Sequence, residues 1–334
     1  MRKKLCIALI LLLVMGTVQI FAQRPVNIKL ASLVPENTPW GIALNRMAAE
    51  WARATNGLVT MQIYHNATAG GEADVLRKLR QNQLQAAILS TIGMSSITQE
   101  MMTMSAPFLI RTDDELDMVL ANLKEDLEKM INSKGFYTLA WARAGWVKIF
   151  SKAPVFVPAD LKRQKMGTAP EQLELMQAFK AMGYQMVPVD MPDILIALSG
   201  GMVDAVYQSP IAVAGFQIFG IAKNVLDLNL APFMGGLIMN QTAWRTIPDK
   251  FKPQLIEITK KIEKEMDTSI IKLEAEAVGT MKNYGLVINQ PTAAQAQMWY
   301  DDTDKAIPGL LGSTFDRNLY NRIAALLKDY RSKH

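Results

Sequence analysis

Short apolar runs of strand length alternate, over the first 140 residues, with segments whose apolar positions recur every three or four residues. Residues 27–34 alternate as a strand, and the next segment sets Trp40, Leu44, Met47 and Trp51 on one helical face until Asn56-Gly57 ends it. A second strand is predicted over 59–64, a turn over 65–71, and a helix over 72–84 with Val75, Leu76 and Leu79 inward. Residues 86–91 form a third apolar strand. This alternation predicts parallel strands joined by right-handed crossovers. A helix over 112–133 follows, then a strand over 136–141 that leads towards a second lobe built from 146–150 and the segment beyond.

That segment, 161–210, repeats the pattern in shorter units. Residues 165–168 end a strand, and Pro170 stands where a first helical residue tolerates proline. Leu173, Met176 and Phe179 then keep helical spacing up to Gly183. Residues 185–189 are extended, Pro192 opens a second helix with Ile194, Leu195 and Leu198 inward, and Gly200-Gly201 ends it. The apolar run 202–207 suits the inside of a parallel sheet. Ligands of such sheets bind beyond the carboxyl ends of the strands, which places Gly167, Thr168, residues 189–191 and residues 207–209 at a site. Further on, Leu255, Ile258, Ile262, Met266, Ile270, Leu273 and Ala277 mark the core stripe of a helix of roughly nine turns. Residues 320–327 read as a closing helix.

The stretch LKRQKMGTAPEQLELMQAFKAMGYQMVPVDMPDILIALSGGMVDAVYQSP resembles the core of the solute receptors of TRAP (tripartite ATP-independent periplasmic) transporters. That family usually carries Leu-Lys-Gly-x-Lys-Ile-Arg-Val-Pro here, then a Pro-Met-Pro-type strand, then Ala-Leu-Gln-x-Gly-x-Val-Asp. This chain matches at Leu161, Lys162, Lys165, Pro188, Ala197, Leu198, Gly201, Val203 and Asp204. LVPENTPW, GGEADVLRKL, APFLIR and MNQTAW resemble other stretches of the family, in order and at the right spacing, over nearly the whole exported chain. The resemblance implies an α/β, two-lobed periplasmic binding protein with a ligand cleft and a long bracing helix. Lobe I would comprise residues 23–140 and 231–248, lobe II residues 141–230, and residues 249–334 would brace the two. It also implies a small-molecule ligand and ion-driven permease subunits in the membrane. Some systems of this kind add a tetratricopeptide-repeat companion. A ligand sensor without transport stays open as an alternative function.

Composition sharpens the address. Arg2, Lys3 and Lys4 precede the apolar run 5–15, and Ala22 follows as a cleavage point, the layout of a secretory signal over residues 1–22. The run is shorter than the roughly 20 apolar residues that span a bilayer. The single cysteine, Cys6, lies inside it, so cleavage leaves a chain that must be held by its core alone. The net charge of +5 includes the three leader cations, and the remaining Lys and Arg are scattered among acids without interleaved aromatics. Nucleic acid is therefore not an expected partner.

No catalytic set emerges. The histidines are His65, expected as a solvated turn residue, and His334 at the end of the sequence. No Gly-x-Ser-x-Gly elbow or phosphate loop is present. The acid pairs Asp113-Asp114 and Asp301-Asp302 read as helix openers, where anions suit the dipole. A non-catalytic binding protein without metal or cofactor is the expectation. It needs only a cleft with a few polar groups in apolar walls.

The ligand follows from where the family pattern changes. In the sugar-acid branch two arginines hold a carboxylate, and ungapped alignment puts them on Val147 and Gly167. Other ligand positions fall on Leu33, Ser90, Met191, Gln208 and Phe233, with Trp40, Thr91, Trp141, Thr168, Tyr207 and Asn240 completing the candidate site. Losing a guanidinium forfeits charge-assisted hydrogen bonds of about 1.5–3 kcal/mol each. An apolar or amphipathic ligand is expected, with methionine, present 21 times, adding adaptable walls. The alternative is a carboxylate bound by a displaced cation: Lys148, Arg143 or Arg163. N-terminal sequencing of exported protein is expected to start near Gln23, and membrane-retained protein still carrying Met1 would contradict the leader.

Overall fold

The computed structural model describes residues 24–168, 170, 173–190 and 193–334. The expected leader and the expected roles of Met191 and Pro192 lie outside the described residues. Strand β1 (Val26–Ala31) lies between β2 (Val59–Tyr64) and β3 (Ala86–Ser90), parallel to both. The intervening helices form for local reasons. Thr38 accepts from the Gly41 amide and Pro39 fills the first position of Pro39–Ala54, which buries Leu44, Met47 and Trp51.

The second group of strands is smaller. β5 (Lys165–Thr168) is parallel to β6 (Gln185–Pro188) and to β7 (Ala205–Gln208). β8 (Asn224–Leu226) pairs with β10 (Val287–Asn289). Two long strands join the groups. β4 (Phe136–Ser151) and β9 (Ala231–Asn240) run antiparallel from Phe136 opposite Asn240 to Val147 opposite Ala231. β9 also lies against β3, while the far end of β4 passes to β7 and β8. Each crossing strand thus belongs to the first group at one end and approaches the second at the other.

The long helix Lys252–Asn283 lies along the crossing. Its Thr259 accepts the Trp51 indole N–H at 3.2 Å, tying it to the first lobe. Glu263, Asp267 and Glu274 share one helical face, turned towards β4. Glu263 Oε1 accepts the Trp141 amide at 3.2 Å and takes Lys124 at 3.0 Å. Glu274 Oε1 accepts the Trp146 amide at 3.1 Å. The β4–β9 register shifts between Arg143 and Trp146, and Gly145 takes φ +92°, a conformation that suits glycine. A Cβ on Gly145 would stand 2.7 Å from Glu274 Oε2, so the bulge and the carboxylate fit each other.

The structure corrects several local expectations. Residues 136–141 and 146–150 are one strand, because β9 supplies backbone partners through Ala142 and Arg143 where side-chain alternation fades. Pro170 lies in a turn, and the described part of the helix expected after it is Leu173–Ala181. The strand expected from Met202 begins at Ala205, since Gly201 turns the chain at φ +74° and leaves Met202 exposed. Asp113 and Asp114 do open a helix, Asp113–Ser133. Asp301 and Asp302 do not: they lie within Ala293–Leu310, whose start is capped by Thr292 and Gln295. Asp302 instead takes Lys162 at 2.7 Å and the Tyr184 hydroxyl at 3.1 Å. His65 is buried rather than solvated, with Nε2 paired to Asn45 Oδ1 at 3.0 Å.

Burial pushes the Glu274 carboxyl up to about 7, although the Trp146 amide opposes the shift. An acid raised from 4.5 adds stability that is full below about 4.5 and lost as pH rises through about 7. Glu274→Gln keeps an acceptor for Trp146 and removes the titration. Its melting midpoint is expected to exceed that of the natural chain by about 2–4 °C at pH 8, with no such advantage at pH 4.5.

Candidate functional site

A cavity of about 80 Å³ opens where the ends of several strands meet. Ser90, Thr91 and Ile92 come from the carboxyl end of β3 and the short helix that follows it. Val147 comes from β4, Tyr207 and Gln208 from the carboxyl end of β7, and Leu230–Phe233 from the entry into β9. Met102, Ser105 and Pro107 close one side. Pairing sets the second wall, since Gln208 stands opposite Lys148 and Tyr207 opposite Ile149. The carboxyl ends of parallel strands leave backbone polar groups and loops free to face a ligand, which is why the site forms there.

Most polar groups at this cavity already have partners. Ser90 Oγ donates to Glu72 Oε2 at 2.7 Å and accepts from the Gly93 amide at 3.3 Å. Thr91 Oγ1 donates to the Met234 carbonyl at 3.0 Å. Gln208 Oε1 accepts the Ser209 amide at 2.9 Å. Tyr207 and Thr168 share a buried hydroxyl contact of 2.7 Å, and burial raises the Tyr207 phenol well above its usual range. Tyr207 therefore stays neutral. No Lys, Arg, His, Asp or Glu lines the cavity among the described residues.

Of the residues expected from sequence, Ser90, Thr91, Val147, Tyr207, Gln208 and Phe233 meet at this cavity. Thr168 stands one strand behind, through Tyr207. Gly167 lies in the floor of the second lobe. A Cβ there would sit 2.9 Å from Ile194 Cδ1 and 3.4 Å from Val203, so the apolar interior fills the space. Trp40 and Trp141 do not reach the cavity. They face a separate void beside Leu44 and Met47, with indoles donating to the Arg143 carbonyl and to Glu128, each at 3.1 Å. Leu33 lies near Gly70 and Glu72 and is 37% exposed. Asn240 caps a helix at Ala243 and donates to the Leu79 and Leu84 carbonyls, each 3.1 Å away. The three displaced-cation candidates are already paired: Lys148 with Asp227 at 3.0 Å, Arg143 with Asp117, and Arg163 with Asp160 at 2.8 Å.

Sequence reasoning missed Ile92, Met102, Ser105, Pro107 and Leu230–Pro232. Met102 and Ser105 lie in the 3₁₀ segment Gln99–Ser105, which has no amphipathic period to read. Its neighbour APFLIR was visible as a hinge-side stretch, the one signal that pointed this way. Among the described residues no group of three His, Cys, Asp or Glu is arranged to hold a metal, and no helix is long and apolar enough to cross a membrane.

A cleft between α/β lobes, at the carboxyl ends of parallel strands and with no acidic or basic side chain in its lining among the described residues, is the geometry of a solute-binding site. The chain belongs to the bacterial extracellular solute-binding proteins, family 7, whose profile matches residues 30–309. A solute-binding protein of Verminephrobacter eiseniae is 24% identical over 270 residues, covering 80% of this chain and 79% of the relative. The C4-dicarboxylate-binding periplasmic protein of Vibrio cholerae is 22% identical over 264 residues, 79% of each chain. Among solved folds, the TRAP periplasmic solute-binding protein of Sulfurospirillum deleyianum with bound succinate superimposes with TM-score 0.78 at 23% identity, covering 91% of this chain and 99% of that one. The Pseudomonas putida counterpart with bound D-glucuronate gives TM-score 0.79 at 20% identity, covering 90% and 97%. The family is one of receptors that bind small molecules and work with membrane permease subunits; it is not a family of enzymes.

Gly167→Arg restores the arginine of the resembled pattern, yet its side chain starts towards Ile194 and Val203. Burying an unpaired guanidinium there costs several kcal/mol. The variant is expected to melt about 5 °C or more below the natural chain and to gain no succinate binding by calorimetry.

Proposed function

We propose that this protein is the exported, periplasmic receptor of a TRAP-type secondary transporter. It captures an apolar or amphipathic small molecule and passes it to the permease. The observation that carries this reading is the cleft lining, which holds hydroxyls and one amide among apolar walls and no acidic or basic side chain among the described residues. Val147, Phe233 and Leu230 offer the apolar contact, and Gln208, Ser90 and Ser105 the polar end. Burial at about 25 cal/mol per Å² sustains micromolar affinity without an ion pair, after association costs.

Lobe I is assigned to residues 23–140 and 231–248 and lobe II to 141–230, with residues 249–334 bracing both. The present cavity is smaller than the roughly 300 Å³ usual for ligand sites, so entry requires the lobes to part about β4 and β9.

The carboxylates held by the structural relatives, succinate and D-glucuronate among them, favour a second reading in which a cation moves to the ligand. That cation would first have to leave Asp227, Asp117 or Asp160. Calorimetry separates the two. Succinate and D-glucuronate are expected to give no binding heat, while native mass spectrometry of gently purified protein is expected to show a co-purified uncharged ligand. Micromolar succinate binding lost in Lys148→Ala or Arg143→Ala would transfer the assignment to the second reading. Neighbouring genes for a small and a large membrane subunit separate transport from sensing alone.

A further inference from the structure

A cavity larger than the cleft, of about 340 Å³, lies between the segment Pro107–Arg111 and the helices Ala293–Leu310 and Arg317–Lys333. It shares Pro107 alone with the cleft lining. Its size falls within the range of small-molecule sites.

Its chemistry is the reverse of the cleft's. Arg111, Lys328 and Arg331 all line it, with Asp304 as the acid among its lining groups. Arg331 is committed to Glu115, through Nε at 2.7 Å and Nη2 at 2.9 Å, and to the Leu109 carbonyl. Arg111 lies 3.4 Å from the centre of the Tyr300 ring and uses Nε on the Phe108 carbonyl, without an ion pair among the described residues. Lys328 is exposed at the rim and likewise has no ion pair there. Three cations against Asp304 and Glu115 leave one positive charge in excess. Burial and the nearby Arg331 both lower the proton affinity of Arg111, a strain that an added anion would relieve.

The remaining walls are Leu109, Ala324, the buried Thr303 and the two rings of Tyr300 and Tyr320.

We propose that this cavity is a second ligand site, for a small organic monocarboxylate with a flat or apolar body. The carboxylate would bridge Arg111 and Lys328, and the body would lie against the tyrosines. The single excess charge argues for a monoanion over a phosphate or a dicarboxylate. The site stands whatever the cleft binds.

Fluorine NMR of 4-fluorobenzoate titrated into the full chain tests this. Saturable line broadening is expected, competed by benzoate. Lys328→Gln is expected to weaken binding fivefold or more with an unchanged melt, because Lys328 is exposed and has no ion pair among the described residues. Absence of saturable broadening, binding indifferent to Lys328→Gln, or tighter competition by inorganic phosphate than by benzoate would overturn the proposal.

Discussion

The antiparallel pairing of β4 with β9 is the constraint on which the rest of the molecule depends. Two extended strands passing between two groups of parallel strands must keep their backbone hydrogen bonds through the crossing, where neither sheet is complete. The pairing alone does not achieve this, since it shifts register between Arg143 and Trp146. The long helix completes it: Glu263 takes the Trp141 amide and Glu274 the Trp146 amide. Trp51, through Thr259, fixes the helix to the first lobe. Cleft residues Val147, Ala231 and Phe233 stand within a few residues of this crossing, so the geometry of the site is set by the brace.

The same arrangement explains the charge of the cleft. Successive side chains on a strand face opposite ways, so Val147 and Lys148 on β4 diverge. Val147 joins the cavity while Lys148 reaches Asp227. Arg143, at the bulge, is held by Asp117 with Asp267 at 4.0 Å, and burial lifts the Asp267 carboxyl to about 6. Cations near the crossing are thus engaged by acids outside the cleft. Where acids are fewer, behind Pro107, positive charge accumulates around Arg111.

Much of this was legible along the chain. The strand-helix alternation over 26–90 and the stripe from Leu255 to Ile270 survive intact, because their partners lie on adjacent turns or adjoining elements. Ser90, Thr91, Tyr207 and Gln208 were readable from strand ends and from the family pattern, and Val147 and Phe233 from the pattern alone. Trp40, Trp141 and Asn240 were misplaced for a shared reason. The first and last bond to groups far away in sequence, the Arg143 carbonyl and the Leu79 and Leu84 carbonyls, and Trp141 is drawn to Glu128 across a helix–strand packing. Type and neighbourhood in sequence are silent on such bonds.

The sequence by itself determined the α/β class and the long helix. Those are properties of residue type and period, which exist before the chain folds. Only the tertiary structure decided that Lys148, Arg143 and Arg163 are already paired, that His65 is buried against Asn45, and that Gly167 is roofed by Ile194 and Val203. It alone also placed Met102, Ser105 and Leu230 in the cleft and brought Arg111, Thr303 and Lys328 together. The physical reason is that a charge or a hydroxyl has no fixed meaning until its partner is known, and the partners here come from residues as much as 222 positions apart.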